Sequence, residues 1–254
     1  AEPPRIFMRF FGRMRIGDGD RNELRLDWPT EKTRSLFAFL VINRTRRLTR
    51  DEVLDALWPG SNRTKAQENL RTTAYRMRRT IAQINMSGLE KDAVFTYRRG
   101  QYALLPDMAI ESDTDEFDRL MKLCDMTRSE DEQIGIMKQM AEIGMEPLLS
   151  DIYDGWADAR RSVFREQMLK VLGRLIAILS RRNDQSACAD YCAQYLKLEP
   201  LSEEIACAHM TSLKNLGRVS EVKKVYQTLE RRLREELKCP PTPETKRVYR
   251  ELLK

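Results

Sequence analysis

The chain has 254 residues, of which 33% are charged, with a formal net charge of +6, and that length favours two domains over one compact helical body. Up to Ile110 there are 21 Lys and Arg against 13 Asp and Glu, a net +8, and beyond it 24 against 26, a net −2. The basic first half points to a polyanionic partner, most simply nucleic acid, while a single histidine, His209, and five cysteines without a CxxC pair leave little for zinc clusters or histidine-dependent catalysis, so no metal and no cofactor is expected.

In chain order, Ile6 to Ile16 is β-rich, and a Gly-Asp-Gly-Asp turn at Gly17 to Asp20 leads to a further short strand at Glu23 to Leu26, predicting a small antiparallel sheet. Thr30 can cap a helix reaching about Asn43. Thr49 and Glu52 form a capping box for a short second helix, which Pro59-Gly60 ends after Trp58. Thr64 to Ile84 then reads as the stretch around which the rest is organised. At about 100° per residue, Leu70, Ala74, Met77 and Ile81 share one line, and Lys65, Glu68, Asn69, Thr72, Arg76 and Arg79 lie opposite, flanked by Arg71, Tyr75 and Arg78. Guanidinium groups can fork onto phosphate or the O6/N7 edge of guanine, and Asn and Thr can address base edges. Val94 to Tyr97 and Gln101 to Leu105 read as a hairpin around Arg98-Arg99-Gly100. Helix, helix, longer basic helix and cationic hairpin is the order of a winged helix, with the third helix suited to the major groove and the hairpin to phosphate or the minor groove.

The expected DNA contacts are therefore Lys65, Asn69, Arg71, Thr72, Thr73, Arg76 and Arg79 on the helix and Arg98 and Arg99 on the wing. Arg76 is assigned to a base edge or a critical phosphate, and Arg79, later in the helix, to phosphate. Arg46 and Arg47 are placed to brace the backbone. Trp28, Trp58 and Trp156 read as packing residues, and Met137, Met140 and Met145 as core filling. Cys188 and Cys192 share a helix face that could be redox-active or metal-binding, but Ala187, Ala189 and Ala193 beside them favour small buried packing residues.

Pro106 to Asp115 reads as a connection, giving a division into a DNA-binding domain at 1–108 and an all-helical domain at 109–254. Helices are expected at about Thr114 to Asp125, Ser129 to Ile143, Trp156 to Arg182, Asp184 to Lys197, Leu201 to Leu216 and Val219 to Leu237, with a last one opened by Thr242-Pro243-Glu244. A shift of 34 residues superposes Leu179 on Leu213, Asn183 on Gly217, Ser186 on Ser220 and Cys192 on Tyr226. That is the tetratricopeptide period, with a plain helical bundle as the alternative. The fold class expected is mixed: an α+β winged helix followed by an all-α tetratricopeptide-like domain.

Several stretches resemble the Streptomyces antibiotic regulatory protein family, which joins an OmpR-type winged helix to a bacterial transcriptional activator domain. Thr49-Arg50-Asp51-Glu52-Val53-Leu54-Asp55-Ala56-Leu57-Trp58-Pro59 is similar to its second helix, and Asn69-Leu70-Arg71-Thr72 with Arg76-Met77-Arg78-Arg79-Thr80-Ile81 to its recognition helix. Gly100-Gln101-Tyr102 matches the Gly-Tyr end of the wing with a Gln inserted. Leu198-Glu199-Pro200-Leu201-Ser202-Glu203-Glu204, Leu216-Gly217-Arg218 and Pro240-Pro241-Thr242-Pro243-Glu244 are similar to its helix-pair turns and closing motif. The resemblance implies a cytoplasmic bacterial transcription regulator, an activator that binds repeated elements in double-stranded promoter DNA and contacts RNA polymerase, with the helical half packing on the DNA-binding half, mediating self-association such as a homodimer on DNA, or both. It also implies that a receiver or sensor module can precede the winged helix, as in a two-component system, and the start at Ala1 is compatible with one having been removed.

One other reading remains open at this level. A helical-repeat scaffold would bind a protein on its concave face and show no salt-sensitive DNA binding. An enzyme is not expected, since the chain has no GxxxxGK[ST], GxGxxG, HExxH or GxSxG motif. RNA binding is disfavoured by the lack of an exposed aromatic platform. No apolar run approaches the ~20 residues that span a bilayer.

Overall fold

The computed structural model describes residues 5–18, 20–83, 95–98, 101–104 and 109–254. They form two compact units, one of residues 1–119 with 146–162 and the other of 120–145 with 163–254.

The first unit opens with β1 (Arg5–Arg9), β2 (Arg15–Gly17) and β3 (Glu23–Leu24), an antiparallel meander as the sequence suggested. The turn before β3 is tied by Asp18, whose carboxylate accepts from the backbone of Asp20 and Asn22 at 3.0 and 2.9 Å, with Arg21 at φ 63°. A fourth strand, β7 (Ala109–Ser112), runs parallel to β1 in the sheet order β3-β2-β1-β7. The stretch read as a bare connection is thus partly a strand, and the expected 108/109 boundary falls inside the first unit.

Helix α1 (Glu31–Ile42) starts on a Thr30 cap and buries Leu36, Phe37, Leu40 and Val41. After β4 (Leu48–Thr49), the Thr49/Glu52 capping box opens α2 (Arg50–Leu57): the Glu52 carboxylate accepts from Thr49 N–H and O–H at 2.7 and 2.8 Å, and Thr49 Oγ1 accepts from Glu52 N–H. Those donors hold the Glu52 carboxyl below its ordinary pKa. Helix α3 (Arg63–Ile81) is capped by Asn62 and turns Ala66, Leu70, Ala74, Met77 and Ile81 inward, the stripe the spacing predicted with Ala66 added. Strands β5 (Phe95–Arg98) and β6 (Gln101–Leu104) form the expected hairpin, and β6 also pairs with β4 in the order β4-β6-β5.

Residues 146–162 complete this unit. Gly12 N–H donates to Pro147 O at 3.0 Å, Leu149 N–H to Phe10 O at 2.7 Å and Ser150 N–H to Gly12 O at 2.9 Å. Glycine is favoured there by its φ of +82°, and a Cβ would in addition displace the exposed Glu146 carboxylate. Asp151 accepts from Arg34 at 2.9 Å, Asp154 pairs with Lys32 and accepts from the Ser35 hydroxyl, and Trp156 Nε1–H donates to Ser35 Oγ at 3.0 Å while its ring meets Phe39 edge-on at 5.2 Å. Arg161 donates to the carbonyls of Leu149 and Ile152. Trp156 packs as expected, and Trp28 lies 5.3 Å from Phe37.

The chain passes between the units within α4 (Asp113–Met126), after α5 (Glu130–Ile143) and within α6 (Gly155–Arg181). The second unit continues with α7 (Gln185–Leu198), α8 (Glu203–Asn215), α9 (Val219–Arg232), a π-helical turn at Leu233–Leu237 and α10 (Pro243–Leu252). The 34-residue period is physical. Asn183 and Gly217 both take left-handed φ, 59° and 74°. Asp184 N–H donates to Leu179 O and Arg218 N–H to Leu213 O, at 3.0 and 2.8 Å, so the same left-handed cap closes α6 and α8. Leu179, Leu213, Cys192 and Tyr226 are all buried. Met137 and Met140 fill the core as expected, but Met145 is 68% exposed because it lies beyond the Gly144 cap.

Candidate nucleic-acid interface

The candidate surface is built on α3. Asn62 accepts from Thr64 and Lys65 N–H and so fixes where the helix starts, leaving its first turn without an acidic side chain. Arg63 bends back to pair with Asp51 and, at 3.0 Å, with Asp55 of α2, which pins the two helices and neutralises its own charge. The remaining cations behave differently. Lys65, Arg71, Arg76 and Arg79 are exposed, and none forms an ion pair among the described residues. Holding several unneutralised guanidinium groups on one rigid face costs repulsion that a polyanion would remove.

Thr72 is exposed beside them and Asn69 half-buried. Thr73 is corrected: it is 7% exposed, about 60° from Leu70 on the helical wheel, and belongs to the inward side. Tyr75, which the sequence placed only on the flank, is 59% exposed near the middle of the outward arc, about 140° from Leu70. Counting apolar letters hid both, because a threonine can sit in a core stripe and a tyrosine outside one.

A cleft of about 500 Å³ runs beside this face, lined by Arg50 of α2, by Thr64, Gln67, Glu68, Arg71 and Arg78 of α3 and by Tyr102 of β6. Three arginines and one glutamate thus meet where α2, α3 and β6 converge. Arg98 closes the β5/β6 ladder opposite Gln101 in backbone register, while Arg99 and Gly100 lie outside the described residues. Arg46 is engaged by Glu52 at 3.2 Å, and Arg47 is exposed.

Among the described residues there is no group of three His, Cys, Asp or Glu able to hold a metal ion, and Cys188 and Cys192 are buried packing residues as read from their neighbours. His209 is held below its ordinary pKa by burial and by the nearby Arg218 charge. No helix among the described residues is long and apolar enough to cross a membrane.

A capped helix pair carrying a basic third helix and a β-hairpin, in one chain with 34-residue helical repeats, defines a winged helix joined to a tetratricopeptide-like domain. The model of the bacterial transcriptional activator domain matches residues 127–253, half of the chain, and the chain belongs to that family of transcription regulators. No curated protein matches it. Among solved structures it is similar to Mycobacterium tuberculosis EmbR, determined in complex with a low-affinity phosphopeptide, with a TM-score of 0.70 and 17% identity over 98% of this chain. At that identity the likeness is one of fold, and this chain covers 65% of that one. The order of winged helix and activator domain is that of the Streptomyces antibiotic regulatory protein type to which the motifs pointed.

Proposed function

We propose that this chain is a cytoplasmic, sequence-specific double-stranded DNA-binding regulator that activates transcription by binding repeated promoter elements and contacting RNA polymerase. The observation that carries the reading is the outward face of α3, where Lys65, Arg71, Arg76 and Arg79 are exposed and without ion pairs among the described residues while Arg63, at the start of the helix, is paired with Asp51 and Asp55. In a winged helix that face enters the major groove. Arg76 takes a base edge or critical phosphate, Arg79 phosphate, and Asn69 and Thr72 base edges; Arg98 and Arg99 supply the wing contacts. Self-association on DNA as a homodimer, and coupling to an upstream receiver or sensor module, belong to the same reading.

The test is selection from random duplex DNA with sequencing, run for the chain and for Arg76→Ala/Arg79→Ala at two salt concentrations. The expected result is an enriched, repeated motif that the variant loses. A folded wild-type chain that enriches no motif would overturn the proposal and shift weight to a protein-binding repeat scaffold.

A further inference from the structure

The helical-repeat unit contains a second concave surface, remote in chemistry from DNA. Helices α7, α8 and α9 line an open cleft of about 300 Å³ whose lining is apolar at Ala193, Leu196, Ala206, Val225 and Leu229 and also includes His209. Its rim is cationic. Lys224 and Arg232 stand two turns apart on α9, with Thr228 between them, and Lys197 lines the same cleft from the last turn of α7. No carboxylate lines the cleft, and none of the three cations forms an ion pair among the described residues, although Arg232 is half-buried. An apolar helix–helix cleft needs no cations for stability, and a guanidinium partly withdrawn from water without a counter-ion is a cost that the fold leaves uncompensated.

We infer that this cleft is a binding site for a small amphiphilic carboxylate, its apolar body on Val225, Leu229 and Ala193 and its carboxylate between Arg232, Lys224 and Lys197. Charge complementarity selects an anion, the floor selects an apolar body, and the volume lies at the small end of the range for organic ligands, short of what several residues of extended peptide would fill. The site would make the activator domain a ligand-responsive element rather than only a surface for other proteins.

The experiment is titration calorimetry of the full chain with octanoate, with octanol as the uncharged control, and with a peptide alternating Leu and Glu. Saturable one-to-one octanoate binding, at least tenfold tighter than octanol, is expected. Lys224→Gln/Arg232→Gln should weaken octanoate at least tenfold, and Thr228→Trp, which places a ring in the cleft from an exposed position, should abolish it. Ligand-free thermal unfolding should not fall in the double variant, separating lost recognition from lost folding. Equal affinity for octanol and octanoate, binding of the peptide in place of octanoate, or an unaffected double variant would each overturn the inference.

Discussion

Two arginines on one helix should contribute unequally to the salt dependence of DNA binding. Arg63 spends its charge on Asp51 and Asp55, whereas Arg79 has no carboxylate within ion-pair distance among the described residues. Each phosphate neutralised on duplex DNA steepens the fall of log affinity with log salt by about 0.9. If Lys65, Arg71, Arg76 and Arg79 each displace one counterion, α3 alone gives a slope of about −3.6, or roughly a 150-fold loss of affinity between 50 and 200 mM salt. Arg79→Ala should flatten the slope by about 0.9, while Arg63→Ala should change it by less than about 0.3 and act mainly on stability. The assay is fluorescence anisotropy with a labelled duplex at four salt concentrations. Equal slope changes in the two variants would refute the assignment, because they would mean that the ion pairs with α2 do not decide which cations reach DNA.

Other expectations follow from the framework that holds this face. Arg76→Ala should cost roughly 1–3 kcal/mol on the selected sequence, measured by the same anisotropy, with preference relaxed at one base position. Asp113, buried at the start of α4, accepts from Phe10 and Phe11 N–H at 2.9 Å, so Asp113→Ala should destabilise by about 2–3 kcal/mol in urea unfolding, since two buried donors lose their acceptor. Gly217→Ala should cost about 1 kcal/mol through its φ of +74°, with open space for the methyl, whereas Asn183→Gly at the equivalent cap should be neutral within about 0.5 kcal/mol, both by thermal unfolding. Because hydrogen bonds from Thr49 lower the folded-state pKa of Glu52, its contribution is present above the unfolded carboxylate pKa and is lost as pH falls through the folded one. Glu52→Gln should therefore narrow its stability gap to wild type on acidification below pH ~4.5, read from unfolding midpoints between pH ~3 and ~7.

What was legible in the sequence was whatever is decided within a few residues. The Thr49/Glu52 box, the Thr30 and Asn62 caps and the α3 stripe are local bargains between a side chain and its own helix, and each is spelled by adjacent letters. The repeat was legible for the same reason: Asn183 and Gly217 are residue types that tolerate a left-handed cap, and their spacing carries the period. What stayed hidden is decided between residues far apart in the chain. Strand β7 pairs with β1 across about a hundred residues, and residues 146–162 join the first unit through backbone groups of Phe10 and Gly12 and through side chains such as Asp151 with Arg34 and Trp156 with Ser35, whose partners lie 117 and 121 positions away. The family match begins at residue 127, yet part of what it covers completes the compact unit that carries α3. Sequence families and compact units therefore divide this chain at different places. Of the two divisions, it is the hydrogen-bonded one that decides which residues a truncated DNA-binding fragment must keep: a fragment ending at 108 would lose β7, the Asp113 acceptor and the Trp156 contact with Ser35, and would leave the N–H groups of Phe10 and Gly12 without their acceptors.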